Sequence, residues 1–203
     1  MKVAIVDYGM GNIRSLTTTL TYLGVSDVIL SNNYEILKSA DKIILPGVGS
    51  FGKAMQQIRE RKIDVYLKDL VVNSGKPMLG VCLGMQLVGN SSTEDGYNEG
   101  LGLVDAEVTR LSAPNIKVPH VGFNQIAISQ NSRLFDGMAA NPDFYFTHSY
   151  KMLTQSNINV SACEYGERFV AAFEYKNIAG VQFHPELSQK NGLHLLKNFL
   201  EKF

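Results

Sequence analysis

The segment Lys76–Leu87 constrains the fold more than any other stretch, because a cysteine stands where an apolar strand turns directly into a helix. Pro77–Val81 is typical of a short buried strand, and the residues after Cys82 suit a helix. Gly80 and Gly84 flank the cysteine where a tight turn needs residues without side chains. The pattern predicts a nucleophile elbow, in which the N–H groups of the helix N-terminus favour a thiolate. The alternative for Cys82 is a small buried apolar residue.

Strand and helix patterns alternate over the first half of the chain. Apolar runs and helical periodicity predict strands at 3–6, 28–30, 42–45 and 77–81, and helices that begin near residues 13, 54 and 63. This alternation is typical of an α/β fold with a mostly parallel central sheet flanked by helices. Ligands of such sheets bind at the C-terminal ends of the strands, where the cysteine corner lies.

A second corner at such a strand end is rich in glycine. The loop Pro46–Gly52 carries three glycines and precedes a predicted helix. Backbone N–H groups of such a loop are free to hold an anion or the oxyanion of a reaction intermediate. The alternative is an ordinary turn between a strand and a helix.

The second half of the chain has a different pattern. A polar, turn-rich stretch at 90–100 is followed by short predicted strands at 103–109, 116–121, 125–128, 144–150, 159–163, 169–174 and 178–183. No linker separates the two halves, so we expect antiparallel extension of the first sheet and a single domain over residues 1–203.

Composition narrows the class of protein. The 203 residues contain 19 basic and 19 acidic side chains, and no basic run favours nucleic acid or an anionic membrane. The N-terminal apolar segment is too short for a signal peptide, and no apolar run is long enough to span a membrane. Two cysteines fit a reducing compartment better than a disulfide framework, so we expect a soluble, cytoplasmic protein.

A base for the cysteine is predicted near the C-terminus. His184 ends an apolar strand, and Glu186 lies two residues later, on the same side of an extended segment. Cysteine, histidine and glutamate together supply a nucleophile, a general base and an orienting carboxylate. No C-x-x-C or H-x-x-x-H spacing indicates a metal site, and we expect no cofactor.

Three motifs in this order resemble the triad-type (class I) glutamine amidotransferases: P-G-V-G-S-F-G, G-V-C-L-G-M-Q and G-V-Q-F-H-P-E. Three others resemble a branch of that family, the glutaminase subunits of imidazole glycerol phosphate synthase: D-Y-G-M-G-N, V-P-H-V-G-F-N and Y-F-T-H-S-Y. The resemblance extends over essentially the whole chain. It implies hydrolysis of L-glutamine to glutamate and ammonia, with the ammonia passed to a (β/α)8-barrel synthase subunit of a heterodimer in histidine biosynthesis.

The resemblance also assigns roles to residues. Cys82 matches the nucleophile that forms a glutamyl thioester, His184 the base and later acid, and Glu186 the orienting carboxylate. The other implied roles are an oxyanion hole at Val48, Gly49 and Leu83; glutamine binding at Gly49, Gln86, His148, Ser149 and Tyr150; and contact with the partner or the ammonia route at Asn12, Phe123 and Tyr145.

Two departures from the family pattern affect the identity of the partner. Phe123 stands where the family usually has tryptophan, and Leu187 where it usually has lysine or arginine. An alternative is therefore a homologous glutaminase that supplies ammonia for amidination of a bacterial surface sugar. A third possibility, from another class, is a cysteine hydrolase that acts alone, although the P-G-V-G loop and Gln86 favour glutamine as the substrate.

Overall fold

The computed structural model describes residues 1–203 and contains a nine-stranded mixed sheet and a smaller four-stranded sheet. The strands are β1 (Lys2–Val6), β2 (Asp27–Ser31), β3 (Lys42–Leu45), β4 (Met78–Val81), β5 (Ser91–Ser92), β6 (Asn98–Glu99), β7 (Glu107–Arg110), β8 (His120–Ala127), β9 (Asp143–His148), β10 (Tyr150–Leu153), β11 (Asn159–Glu164), β12 (Arg168–Tyr175) and β13 (Ile178–Val181). The helices are α1 (Ile13–Tyr22), α2 (Tyr34–Ser39), α3 (Phe51–Glu60), α4 (Ile63–Leu67), α5 (Leu83–Leu87) and α6 (Gln189–Lys202), with a π-helical turn at Lys68–Asn73 and a 3-10 turn at Pro185–Leu187.

The large sheet has the order β2-β1-β3-β4-β13-β12-β11-β8-β9. Its first five strands are parallel, and the remaining four extend it in antiparallel pairs. The predicted α/β class, with a parallel centre and an antiparallel extension, is confirmed. None of the helices has the length and apolar character that crossing a membrane would require.

Both faces of the parallel centre are buried, which explains its continuous apolar strands. Successive residues of β1 point to opposite faces, so Ala4 and Val6 pack with α3 while Val3 and Ile5 pack with α1 and α6. Because β3 and β13 each pair in parallel with β4, the C-terminal ends of these three strands lie along one edge of the sheet.

Several elements differ from the sequence predictions. Helix α2 was not predicted; Asn33 caps it by accepting hydrogen bonds from the N–H groups of Glu35 and Ile36. In place of the strands predicted at 116–121 and 125–128, the single strand β8 runs from His120 to Ala127, so residues 116–119 lie outside any strand. The strand predicted at 103–109 begins only at Glu107. Residues 144–150 divide between β9, in the large sheet, and β10, which pairs with β7 in the small sheet.

Candidate active site

Cys82 lies at the corner between β4 and α5, as the sequence predicts, with a strained backbone at φ 53° and ψ −111°. A Cβ atom on Gly84 would lie 1.8 Å from the carbonyl oxygen of Leu45, and one on Gly80 would lie 2.8 Å from backbone atoms of Gly84 and Met85. Strand and helix therefore approach closely only because neither glycine has a side chain, which confirms their predicted role.

His184 reaches the cysteine corner because β13 pairs in parallel with β4, with Val181 opposite Val81. The His184 ring donates from Nδ1 to Oε1 of Glu186 at 2.9 Å, and both side chains are almost fully buried. Its other nitrogen, Nε2, has no hydrogen-bond partner, and the ring lines the same cavity as Cys82. The three predicted side chains therefore converge in the order expected of a nucleophile, a base and an orienting carboxylate.

Electrostatics at this site favour a protonated imidazole. Burial by itself disfavours the charged ring, but its interactions with Cys82 and Glu186 outweigh burial and raise the pKa of His184 to about 10. The amide of Asn12 also donates to Oε1 of Glu186, at 3.3 Å. Glu186 is thus held by two donors, which fixes the carboxylate against the ring.

A cavity of about 320 Å³ opens over Cys82. The predicted residues that line it are Val48, Gly49, Cys82, Leu83, Gln86, His148, Ser149, Tyr150 and His184. Three further residues, Glu94, Pro119 and Thr147, were not predicted. Glu94 lies in the polar stretch 90–100, which the sequence indicates only as a turn, so no pattern pointed to it. Its Oε2 accepts a hydrogen bond from Phe51 N–H at 2.8 Å, which places a carboxylate on the cavity wall.

Two buried side chains on the cavity wall are fixed by Tyr150. Its carbonyl accepts hydrogen bonds from Gln86 Nε2 at 2.9 Å and from His148 Nδ1 at 2.8 Å. Since a carbonyl only accepts, His148 carries its proton on Nδ1, and its Nε2 accepts from Nδ1 of His120 at 3.0 Å. Burial lowers the pKa of both histidines to about 4, so both are neutral near pH 7.

The glycine-rich loop lies on the other side of the cavity. The N–H groups of Val48 and Gly49 make no hydrogen bond within the chain, and Gly49 has a φ of +100°. The N–H of Leu83, however, donates to the carbonyl of Gly47 at 3.3 Å. One of the three predicted oxyanion donors is therefore engaged within the protein in this structure.

The predicted partner-facing residues lie at different depths. Phe123 is 47% exposed on β8, and its ring lies 5.5 Å from that of Tyr145 on the neighbouring strand β9. The carbonyl of Tyr145 in turn accepts from the N–H of His184 at 2.9 Å. Leu187 is 41% exposed, one residue beyond Glu186. The exposed ring of Phe123 thus contacts the half-buried Tyr145, whose backbone is bonded directly to His184.

Two features outside this site, a larger cavity and a second buried cysteine, do not combine a nucleophile with a base. A larger cavity, of about 620 Å³, lies between the two sheets and is lined by residues of β7, β11 and β12, without a cysteine or histidine. Cys163 is buried in β11, and burial raises the pKa of its thiol to about 12, so it remains protonated near neutral pH.

Comparison with known proteins identifies relatives of this chain in sequence and in fold. A model of the family "Glutamine amidotransferase class-I" matches residues 4–203. The "Imidazole glycerol phosphate synthase subunit HisH" of Aquifex aeolicus is 40% identical over 203 residues, covering 100% of this chain and 97% of that protein. The subunit of the same name from Oceanobacillus iheyensis is 44% identical over 200 residues, covering 98% of each chain. A crystal structure described as a glutamine amidotransferase superposes with a TM-score of 0.77 at 19% identity, over 99% of this chain and 98% of its own.

Proposed function

Because this chain belongs to the class-I glutamine amidotransferase family, we propose that it is the glutaminase subunit of an imidazole glycerol phosphate synthase in histidine biosynthesis. It hydrolyses L-glutamine to glutamate and ammonia. The observation that carries the proposal is that Cys82 and His184 line one cavity at the C-terminal ends of β4 and β13, with buried Glu186 bonded to the far side of the imidazole.

In the proposed reaction, the thiolate of Cys82 attacks the side-chain amide carbon of glutamine, and the carbonyl oxygen becomes an oxyanion. Protonated His184 then gives its Nε2 proton to the leaving nitrogen, which departs as ammonia and leaves a glutamyl thioester. The same ring takes a proton from the water that hydrolyses the thioester. Glu186 orients the imidazole and stabilises its positive charge, but it does not itself take the proton.

Glutamine binding in this proposal uses the rest of the cavity wall. Gln86, His148, Ser149 and Tyr150 hold the substrate, as the family resemblance implies. The carboxylate of Glu94 is the complementary charge for the α-ammonium group of glutamine, since its Oε1 is free while its Oε2 binds Phe51.

The partner in this proposal is a (β/α)8-barrel synthase that receives the ammonia, and it contacts the surface at Asn12, Phe123 and Tyr145. Binding of this partner would complete the oxyanion hole by changing the loop at 46–52, where Leu83 N–H is engaged by Gly47. The expected result is slow glutamine hydrolysis by the isolated chain and much faster hydrolysis in the complex.

The direct test is Cys82→Ala in the complex, scored by two assays. We expect loss of glutamate release from glutamine, with retention of synthesis by the partner when ammonia is supplied instead. Cys163→Ala is the matched control, because it removes the other buried thiol and should leave both rates unchanged. Glutamate release by Cys82→Ala at the wild-type rate would exclude Cys82 as the nucleophile.

The partner is tested by stimulation of the isolated chain. Glutamate release that rises only with the histidine-pathway synthase and its nucleotide-derived substrate supports the proposal. Stimulation only by a synthase that amidates surface sugars would instead assign the chain to that pathway, where the departures at Phe123 and Leu187 would belong to a different interface. Full activity without any partner would indicate a hydrolase that acts alone.

A further inference from the structure

Gln182 is a fully buried polar side chain beside the nucleophile, and none of the roles described so far uses it. It follows β13 and lies two residues before His184. Its side chain contacts two other residues of the site: Oε1 lies 2.9 Å from Nε2 of Gln86, and Nε2 lies 3.8 Å from Sγ of Cys82. A carboxamide inside an otherwise apolar strand end is costly unless both of its polar groups are bonded.

The hydrogen-bond network fixes which end of the Gln182 amide faces the sulfur. The carbonyl of Tyr150 can only accept, so the Gln86 atom bonded to it must be the NH₂ group. That same NH₂ group also contacts Gln182, which must therefore present its oxygen to Gln86. The NH₂ group of Gln182 consequently points toward Cys82.

The contacts of Sγ have opposite effects on the two protonation states of the cysteine. The carbonyl of Thr147, 3.9 Å from Sγ, can bond only to the S–H of a neutral thiol. Two side chains favour an anionic sulfur: the imidazole of His184, whose interaction with Cys82 raises its pKa, and Gln182, whose Nε2 donates a hydrogen bond to Sγ. An N–H donor binds an anionic sulfur more strongly than a neutral one, because hydrogen bonds to charged groups are about twice as strong.

We propose that Gln182 is a further active-site residue, which stabilises the attacking thiolate of Cys82 by donating a hydrogen bond to Sγ. Its other end fixes Gln86, so a single amide joins the nucleophile to a residue of the substrate cavity. This assignment rests on the proposed role of Cys82 as nucleophile. It requires no further reactant, because the proton leaves the thiol as it does without Gln182.

The test measures alkylation of Cys82 by iodoacetamide as a function of pH, without glutamine, in the complete chain, with mass spectrometry to separate it from alkylation of Cys163. In the Gln182→Met variant the side chain is nearly as long as glutamine but has no hydrogen-bond donor. The alkylation profile of this variant should move to higher pH by about one unit, which is a roughly tenfold lower rate on its acidic side.

Gln182→Leu is a second variant without a hydrogen-bond donor, and its smaller side chain decides the question if Gln182→Met does not fold. Its alkylation profile should likewise move to higher pH by about one unit. A carboxylate is unsuitable at this position, because its charge would raise the pKa of the thiol by repulsion whatever the role of Gln182. A purely structural role predicts the wild-type profile for both variants.

The control is Asn198→Leu, which also removes a buried carboxamide with two hydrogen bonds, here to the carbonyls of Leu134 and Asp136. It should lower stability and leave the alkylation profile of Cys82 unchanged. A folded Gln182→Met or Gln182→Leu chain with the wild-type profile overturns the proposal. Glutamate release by the wild-type complex is measured in a separate assay. Its absence would contradict the proposed function, whereas the alkylation profiles test only the role of Gln182.

Discussion

Replacing Gly84 with alanine tests how closely α5 must approach β3 for the cysteine corner to form. The new Cβ would lie 1.8 Å from the Leu45 carbonyl oxygen, whereas ordinary contact begins at 3.4 Å, so the backbones must separate by 3.4 − 1.8, about 1.6 Å. The atom it meets belongs to the backbone, which cannot rotate away as a side chain can. We expect a stability loss of about 1–3 kcal/mol or more from overpacking.

The same displacement should reduce activity, because both parts that separate carry the site. Helix α5 begins directly after Cys82, and β3 leads into the loop at 46–52. A displacement of about 1 Å typically lowers the rate about 10²-fold. Glutamate release by the complex and urea unfolding would measure the two effects on one sample.

Gly24→Ala is the matched control for this experiment. It adds a methyl group at a φ of +87° with no atom within 4 Å, so it introduces backbone strain of about 1 kcal/mol without a clash. We expect reduced stability and full activity. If Gly84→Ala has the kcat/KM of wild type, the helix can retreat without moving Cys82, and the reasoning about the corner is wrong.

The remaining predictions concern the triad and pH. His184→Ala should lower kcat by about 10²–10⁴ and Glu186→Gln by less, as steady-state glutamate release would show; the reverse order would mean that the carboxylate transfers a proton. The free energy of unfolding should fall as pH drops from about 6.5 to 4, because the unfolded chain takes up protons that His120 and His148, with pKa values lowered to about 4, do not. The contribution of His184, whose pKa is raised to about 10, has the opposite sign: it is complete below about pH 6.5 and is lost as pH rises through 10. Urea unfolding of wild type and His120→Phe at several pH values would check the contribution of His120. If the free energy of unfolding falls as steeply between about pH 6.5 and 4 in the variant as in wild type, the prediction is wrong.

Much of the site could be predicted because its parts are local in sequence. The corner at Cys82 needs only a strand, a helix and two glycines within five residues, and steric exclusion acts at that range. His184 and Glu186 are likewise neighbours in an extended segment, so strand geometry alone places them on one side. The parallel centre of the sheet followed from alternating strand and helix patterns.

Other features depend on strand order, which a pattern in one segment does not specify. The pairing of β13 with β4 brings together residues about one hundred positions apart, and the sequence contains no local signal for it. The division of residues 144–150 between two sheets also has no local signal, because β9 is defined by its pairing with β8 and β10 by its pairing with β7. Glu94 enters the cavity from a polar turn for the same reason.

The sequence by itself determined the kinds of chemical group in this protein and their short-range geometry: a thiol at a strained corner, an imidazole beside a carboxylate, and a loop with unpaired N–H groups. Only the tertiary structure decided which groups share a cavity and which hydrogen atoms point at the sulfur. The physical reason is that backbone sterics act between neighbours in the chain. The orientation of the Gln182 amide, by contrast, follows from a carbonyl 32 positions earlier, that of Tyr150, acting through the side chain of Gln86.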